Sequence, residues 1–311
     1  MNLALLSIPT VLAASLVACA GTDDKTAESN WRDAIVANPA GDDGCFHAAY
    51  PEMAWQPVAC TTAANRPFAS RGPTQFTVGN GDDFALQTTD LIAKASATFV
   101  KATGVKTETD SGTKNDYSLQ LNSNFMAGTA ACKGVAGCLS WTQFIYSTSE
   151  ASAFMQDWLI GIGNTCPSSS FFSDGQGDCF INSAAVSVQE LAVTDLTELK
   201  MSGGATTGGK DSLAFAVGTE AFTTSQKDTI TDLSTAWNGA EYNIVGDGGG
   251  TEAVFNKGAS IEIRIGVDDH STTAPKCIAN GGTTGETNNL TLGKCKATSG
   301  SEPAIEFTES D

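Results

Sequence analysis

Tyr117-Ser118-Leu119-Gln120-Leu121-Asn122 decides the fold class. Tyr117, Leu119 and Leu121 alternate with Ser118, Gln120 and Asn122, a period of two that sends the two sets to opposite faces of a strand. Ile261, Ile263 and Ile265 repeat the pattern against Glu262 and Arg264. Further short segments of this kind, separated by Gly, Asn, Asp and Ser turns, fall at residues 75–78, 96–107, 117–124, 141–146, 153–162, 185–188, 213–217, 241–245 and 260–267. Many short strands spaced by turn residues predict an all-β, antiparallel β-sandwich. Helices are expected to be few and short, at residues 89–97 and 228–237, the second with carboxylates near its N-terminus. Residues 188–201 fit either period. The glycine-rich runs 203–209 and 246–250 read as turns; the second lacks the Lys-Ser/Thr ending of a phosphate loop, which argues against nucleotide binding.

The chain opens with an apolar run, Leu3 to Ala18, closing on Leu16-Val17-Ala18-Cys19. The run is too brief to cross a bilayer and has the small-residue ending of a secretory signal. Cys19 directly after Ala18 resembles the lipobox of bacterial lipoproteins. That resemblance implies acylation at Cys19 and, with Ala20 following, an outer-membrane or cell-surface lipoprotein that touches the membrane only through its lipid. No Lys or Arg precedes the apolar run, so the true start is expected upstream of Met1. Residues 20–44 are polar and lack sustained periodicity, which predicts a flexible tether, with order beginning at Cys45 and one sandwich domain over 45–311.

Of the nine cysteines, Cys19 is set apart by its place in the leader. The remaining eight, Cys45, Cys60, Cys132, Cys138, Cys166, Cys179, Cys277 and Cys295, form an even set in an exported chain and read as disulfides. Four close couples along the chain favour sequential pairing, each closing a loop; a loop of about 15 residues contributes roughly 3 kcal/mol in the chain-entropy description. Zinc is disfavoured, since no Cys-x-x-Cys occurs and only His47 and His270 could assist. A formal net charge of −18 and a pI of ≈ 4.3 repel nucleic acid and anionic membrane surfaces. A monomer without cofactor or metal is expected.

Familiar hydrolase signatures are missing. Both histidines stand far from any Gly-x-Ser-x-Gly element, no His-Glu-x-x-His pair exists, and a cysteine nucleophile would leave an odd number for bridges. Asn80–Asp83 and Asp268-Asp269-His270 read as turns with too few spaced oxygen ligands for calcium. Any catalysis therefore falls to amide and carboxyl side chains. A Gln can donate N–H to a developing oxyanion and a Glu can take a proton from water, provided one rigid face holds both.

Two segments carry such a pair. Tyr117-Ser118-Leu119-Gln120-Leu121-Asn122 and Asn238-Gly239-Ala240-Glu241-Tyr242-Asn243-Ile244-Val245 resemble the catalytic Gln and Glu strands of the glutamic peptidases, the acid-active eqolisin group. The similarity spans roughly residues 97–267. It implies a lectin-like (concanavalin-like) jelly-roll sandwich, with Gln120 stabilising the oxyanion and Glu241 as the general base acting on a polypeptide substrate. The family's Trp-x-Glu-Trp cluster has no literal counterpart; Phe154-Met155-Gln156-Asp157-Trp158 is nearest. Trp141, Gln143, Tyr146, Gln156 and Trp158 are the expected groove residues. The same aromatics, if exposed, would suit a non-catalytic sandwich binding glycan or peptide, and a purely structural surface lipoprotein is a third reading.

Overall fold

The computed structural model describes residues 20–69 and 83–311. The leader with Cys19 and the expected strand at 75–78 lie outside the described residues. Two antiparallel sheets face one another as a β-sandwich. The first orders its strands Gln56–Val58, Gly44–Ala49, Glu220–Lys227, Lys210–Val217, Leu199–Ala205, Lys94–Thr103, Ser260–Asp268, Ala304–Ser310 and Thr291–Thr298. The second runs Phe172–Ser173, Cys179–Asn182, Ser152–Ile160, Leu139–Ser147, Tyr117–Ser123, Gly239–Gly246, Phe84–Gln87 and Lys276–Ala279.

Period-two alternation builds the core between them. Tyr117, Leu119 and Leu121 meet Ala240, Tyr242 and Ile244 from the adjacent strand, and Phe99, Met201, Phe215, Ile263 and Phe307 come from the opposite sheet. Aromatic pairs clamp the layers: Tyr146 stacks on Phe215 at 4.9 Å, and Phe99 tilts against Tyr242 at 5.3 Å. Each such side chain, fully buried, contributes about 1.5–3 kcal/mol. Residues 203–205 belong to a strand, not to the expected turn. The ring of Phe144 lies where a Cβ at Gly203 would come within 2.4 Å, so glycine here serves close packing.

The expected helices also change. Ala95, Ala97 and Phe99 are buried alternately, so residues 94–97 start a strand, and 228–237 shrinks to single 3-10 turns at Asp228–Ile230 and Leu233–Thr235. Within 188–201 a 3-10 turn, Val193–Glu198, precedes the strand beginning at Leu199. The tether is replaced by a helix, Ala20–Ala37. Trp31, Ile35 and Val36 lie on one helical face and cover an alanine patch, Ala48, Ala214, Ala216 and Ala221, on the outside of the first sheet. Trp31 Nε1 donates to Glu52 O at 2.8 Å, and Lys200 pairs with Asp33. A bare alanine face needs a cover, and three apolar residues in a polar segment suffice to make one.

Four disulfides form, joining Cys45–Cys60, Cys132–Cys138, Cys166–Cys179 and Cys277–Cys295 with Cα separations of 5.3 to 6.2 Å. The pairing is sequential.

The interior also holds carboxyls. Asp157 accepts from Thr142 Oγ1 at 2.9 Å and from Gln226, while Asp228 accepts from the Ser234 hydroxyl at 2.7 Å. Asp211, fully buried, lies beside Asp228 and Asp157 with no hydrogen-bond partner for either carboxyl oxygen among the described residues. Burial pushes Asp157 up to about 7 and Asp211 up to about 10, the latter raised further by the charges of Asp157 and Asp228.

Two outcomes are expected. Trp31→Ala should lower stability by about 3 kcal/mol, read from the denaturant midpoint, whereas a true tether would leave it unchanged. Stability should also depend on pH. Carboxyls whose folded pKa is raised bind more protons folded than unfolded, so their stabilisation is complete below about pH 4 and is lost as pH climbs through the folded values. The melting temperature should therefore fall from pH 3 to pH 8. Asp211→Asn should shrink that fall by raising the value at pH 8.

Candidate active site

The outward face of the second sheet is polar, and it too is buried. Gln120 and Glu241 are each 1% exposed and lie on neighbouring strands. The register pairs Glu241 with Asn122 and Asn243 with Gln120, which sets the Gln120 and Glu241 side chains on a diagonal. Asn122 bridges them: its Nδ2 donates to Gln120 Oε1 and to Glu241 Oε2, each at 3.3 Å.

The direction in which Gln120 presents its amide follows from donors farther along the face. An indole N–H donates only. Trp158 Nε1 donates to Gln143 Oε1 at 3.2 Å and to Gln156 Oε1 at 3.0 Å. Gln143 therefore turns its Nε2 toward Gln120 Oε1, at 3.0 Å. With its carbonyl occupied twice, Gln120 points Nε2 the other way, toward Ser118 Oγ at 3.0 Å and Glu286 Oε2 at 3.3 Å. An N–H donor aimed away from the amide chain is what an oxyanion needs.

Glu241 is held from the opposite side. Thr283 donates to Glu241 Oε2 through its backbone N–H and through its hydroxyl, the latter at 2.6 Å. Trp141 Nε1 donates to Thr283 Oγ1 at 3.0 Å. Asp83, also buried, lies close beside Glu241. A Cβ at Gly282 would sit 2.5 Å from both Asp83 Oδ1 and Glu241 Oε1. Burial, then the charge of Glu241, hold Asp83 well above the usual carboxylate range. A negative charge on Asp83 would stand beside Glu241 in a dry site, which favours keeping the proton on Asp83. Burial likewise raises Glu286, against hydrogen bonds from Thr284, Gly250 and Gln120.

Trp141, Gln143, Gln156 and Trp158 thus share the face with the pair. Tyr146 does not: it alternates with Ile145 and Ser147, its ring lies in the core against Phe215, and its hydroxyl donates to Gln189 O at 3.0 Å. Nor are the two tryptophans an exposed platform, since both are at most 1% exposed beneath covering segments. Phe68 packs over Ile145 and Phe154, with Arg66 ion-paired to Asp247 at 3.2 Å, and residues 281–288 lie over the pair itself. Two surface cavities, about 540 Å³ beside Leu91 and His270 and about 450 Å³ beside Lys133 and Phe171, are lined by neither Gln120 nor Glu241. Sequence reading missed Asp83, Thr283 and Glu286. Asp83 stands in what reads as a turn, whose residues 80–82 lie outside the described ones, and the other two stand in an apparent loop. Among the described residues no group of three or more His, Cys, Asp or Glu side chains is arranged to hold a metal ion. His47 instead pairs with Glu220 on the first sheet.

No protein-family model matches the chain, and no curated protein matches it. Two solved structures align with it. One is SCP-B, a member of the eqolisin family of peptidases, in complex with the tripeptide Ala-Ile-His, at 12% identity and a TM-score of 0.32, over 74% of this chain and 98% of that one. The other is scytalido-glutamic peptidase with a transition-state analogue inhibitor, at 12% identity and a TM-score of 0.26, over 74% and 99%. At such distances, what this chain can do is decided by its own side chains.

Gly282 offers a direct check on the contact between the two carboxyls. Gly282→Ala forces a methyl into that contact and should cost about 1–3 kcal/mol in chemical denaturation, whereas Gly41→Ala, with nothing within 4 Å, should be neutral.

Proposed function

We propose that the chain is an acid-active endopeptidase that hydrolyses polypeptides by direct attack of water, with Gln120 and Glu241 as its catalytic residues. The observation that carries this reading is the shared anchoring of the pair: Asn122 bridges Gln120 to Glu241 while Asp83 contacts Glu241 from the side of Gly282. With a proton on Asp83, Glu241 is free to take one from water. The water oxygen bonds to the scissile carbonyl carbon, and the oxygen that gains charge is met by Gln120 Nε2. Collapse breaks the C–N bond, and the proton held on Glu241 passes to the leaving amine. No cofactor or covalent intermediate enters.

Acid dependence has a physical source in this scheme. As pH rises through the raised pKa of Asp83, its proton leaves and a second negative charge appears beside Glu241. The proton on Asp83 that keeps the pair from repelling is then gone. Trp141 and Trp158 are covered, which removes the exposed aromatic face that a glycan-binding reading requires. Export and lipid anchoring at Cys19 remain part of the proposal, and four disulfides suit an oxidising compartment.

The test is digestion of a denatured protein by the purified chain from pH 2 to 8. Cleavage should be greatest in acid and persist with chelators and with serine- or cysteine-directed reagents. Glu241→Gln should nearly abolish it, and Gln120→Ala should lose on the order of a hundredfold. Asp83→Asn, whose amide cannot ionise, should carry activity to higher pH than wild type. Equal rates for wild type and Glu241→Gln would exclude this mechanism.

A further inference from the structure

Residues 281–288 supply the atoms that a reacting substrate would bring. The hydroxyl of Thr283 donates to Glu241 Oε2 at 2.6 Å, the contact an attacking water makes with its base. Glu286 Oε2, an oxygen carrying negative charge when ionised, accepts from Gln120 Nε2 at 3.3 Å, the contact an oxyanion makes. Between them, Gly282 presses onto the two carboxyls so closely that no side chain fits. The segment is pinned along its length. Gly281 N–H donates to Asp83 O at 3.1 Å, Gly285 N–H to Ala69 O at 2.8 Å and Thr287 N–H to Thr251 O at 3.0 Å. Gly250 N–H donates to Glu286 Oε1 at 3.1 Å. Thr283, Thr284 and Glu286 are each at most 1% exposed.

A loop that merely roofed a sheet could meet its neighbours through any polar atoms. This one sets a donor hydroxyl on the base and an acceptor oxygen on the amide, the pairing that a tetrahedral intermediate demands. We infer that residues 281–288 are a built-in inhibitor: they occupy the site in place of a polypeptide, and substrate enters only when they are displaced. This rests on the peptidase reading of Gln120 and Glu241. The rate shown by the intact chain is then set by the fraction of molecules in which the segment has lifted, and weakening its hold raises that fraction.

The experiment compares wild type with Thr283→Val/Glu286→Ala, which removes both mimicking contacts. Two readouts are taken on the full chain: the initial rate of digestion of a denatured protein, and labelling of Asp83 and Glu241 by a carbodiimide with a small amine, mapped by peptide mass spectrometry. If the double variant lacks a cooperative melting transition, Thr283→Val alone goes through both. The expected result is at least tenfold more labelling and at least tenfold faster digestion, the latter abolished by adding Glu241→Gln. More labelling with no digestion by either protein supports the inhibitor and sinks the peptidase reading. Equal labelling overturns the inhibitor, whatever the activity. More labelling with slower digestion overturns it too, because Thr283 and Glu286 would then belong to the catalytic machinery.

Discussion

A sheet with both faces removed from water has two separate problems, and the second sheet of this sandwich solves them differently. Its inner face is apolar and needs only shape: tyrosines, leucines and phenylalanines from two layers interdigitate. Its outer face is built from amides, carboxyls and indoles, and there each buried polar atom left without a partner costs about 1–3 kcal/mol. That constraint fixes orientation. Trp158 can only donate, so Gln143 must accept from it, so Gln120 must accept from Gln143. A residue two strands away thus determines which end of the Gln120 amide points away from the other amides. The geometry of the pair is a consequence of satisfying hydrogen bonds in sequence across the face.

Much of the sandwich was legible in advance because period-two alternation is a local signal. The pair was legible for the same reason: Gln120 and Glu241 occupy polar alternate positions between residues that the core requires. The same rule would have excluded Tyr146, which is five residues from Trp141 on one strand and so on its other face. Disulfide pairing was readable because the partners are close in sequence, 6 to 18 residues apart. What could not be read is what arrives from afar. Asp83, Thr283 and Glu286 meet Glu241 or Gln120 across 42 to 166 residues, and no local pattern marks them. The N-terminal helix failed for a different reason. Its apolar face is only three residues wide, and what stabilises it is an alanine patch contributed by other strands.

The acids moved from their ordinary range share one bias, with a single exception. Asp83, Glu108, Asp116, Asp157, Asp178, Asp211 and Glu286 are all raised, chiefly by burial, while Glu302 is lowered by Ser96 and by Arg264 and Lys200. A chain with a formal charge of −18 that takes carboxyls out of water favours surroundings in which they keep their protons. The same protonation that stabilises the fold also orders the carboxyl pair. Stability and the proposed chemistry therefore pull toward the same pH.

The bridge between Cys277 and Cys295 encloses residues 281–288 within its loop. A backbone cut anywhere inside that loop frees a chain end but not a fragment, since both stubs stay fastened to the sandwich. Each severed arm remains near the face it left at an effective concentration on the order of millimolar. Scission would thus convert a rigid roof into two short leashed arms, and reduction of that single sulfur–sulfur bond would loosen the leash without touching Gln120 or Glu241.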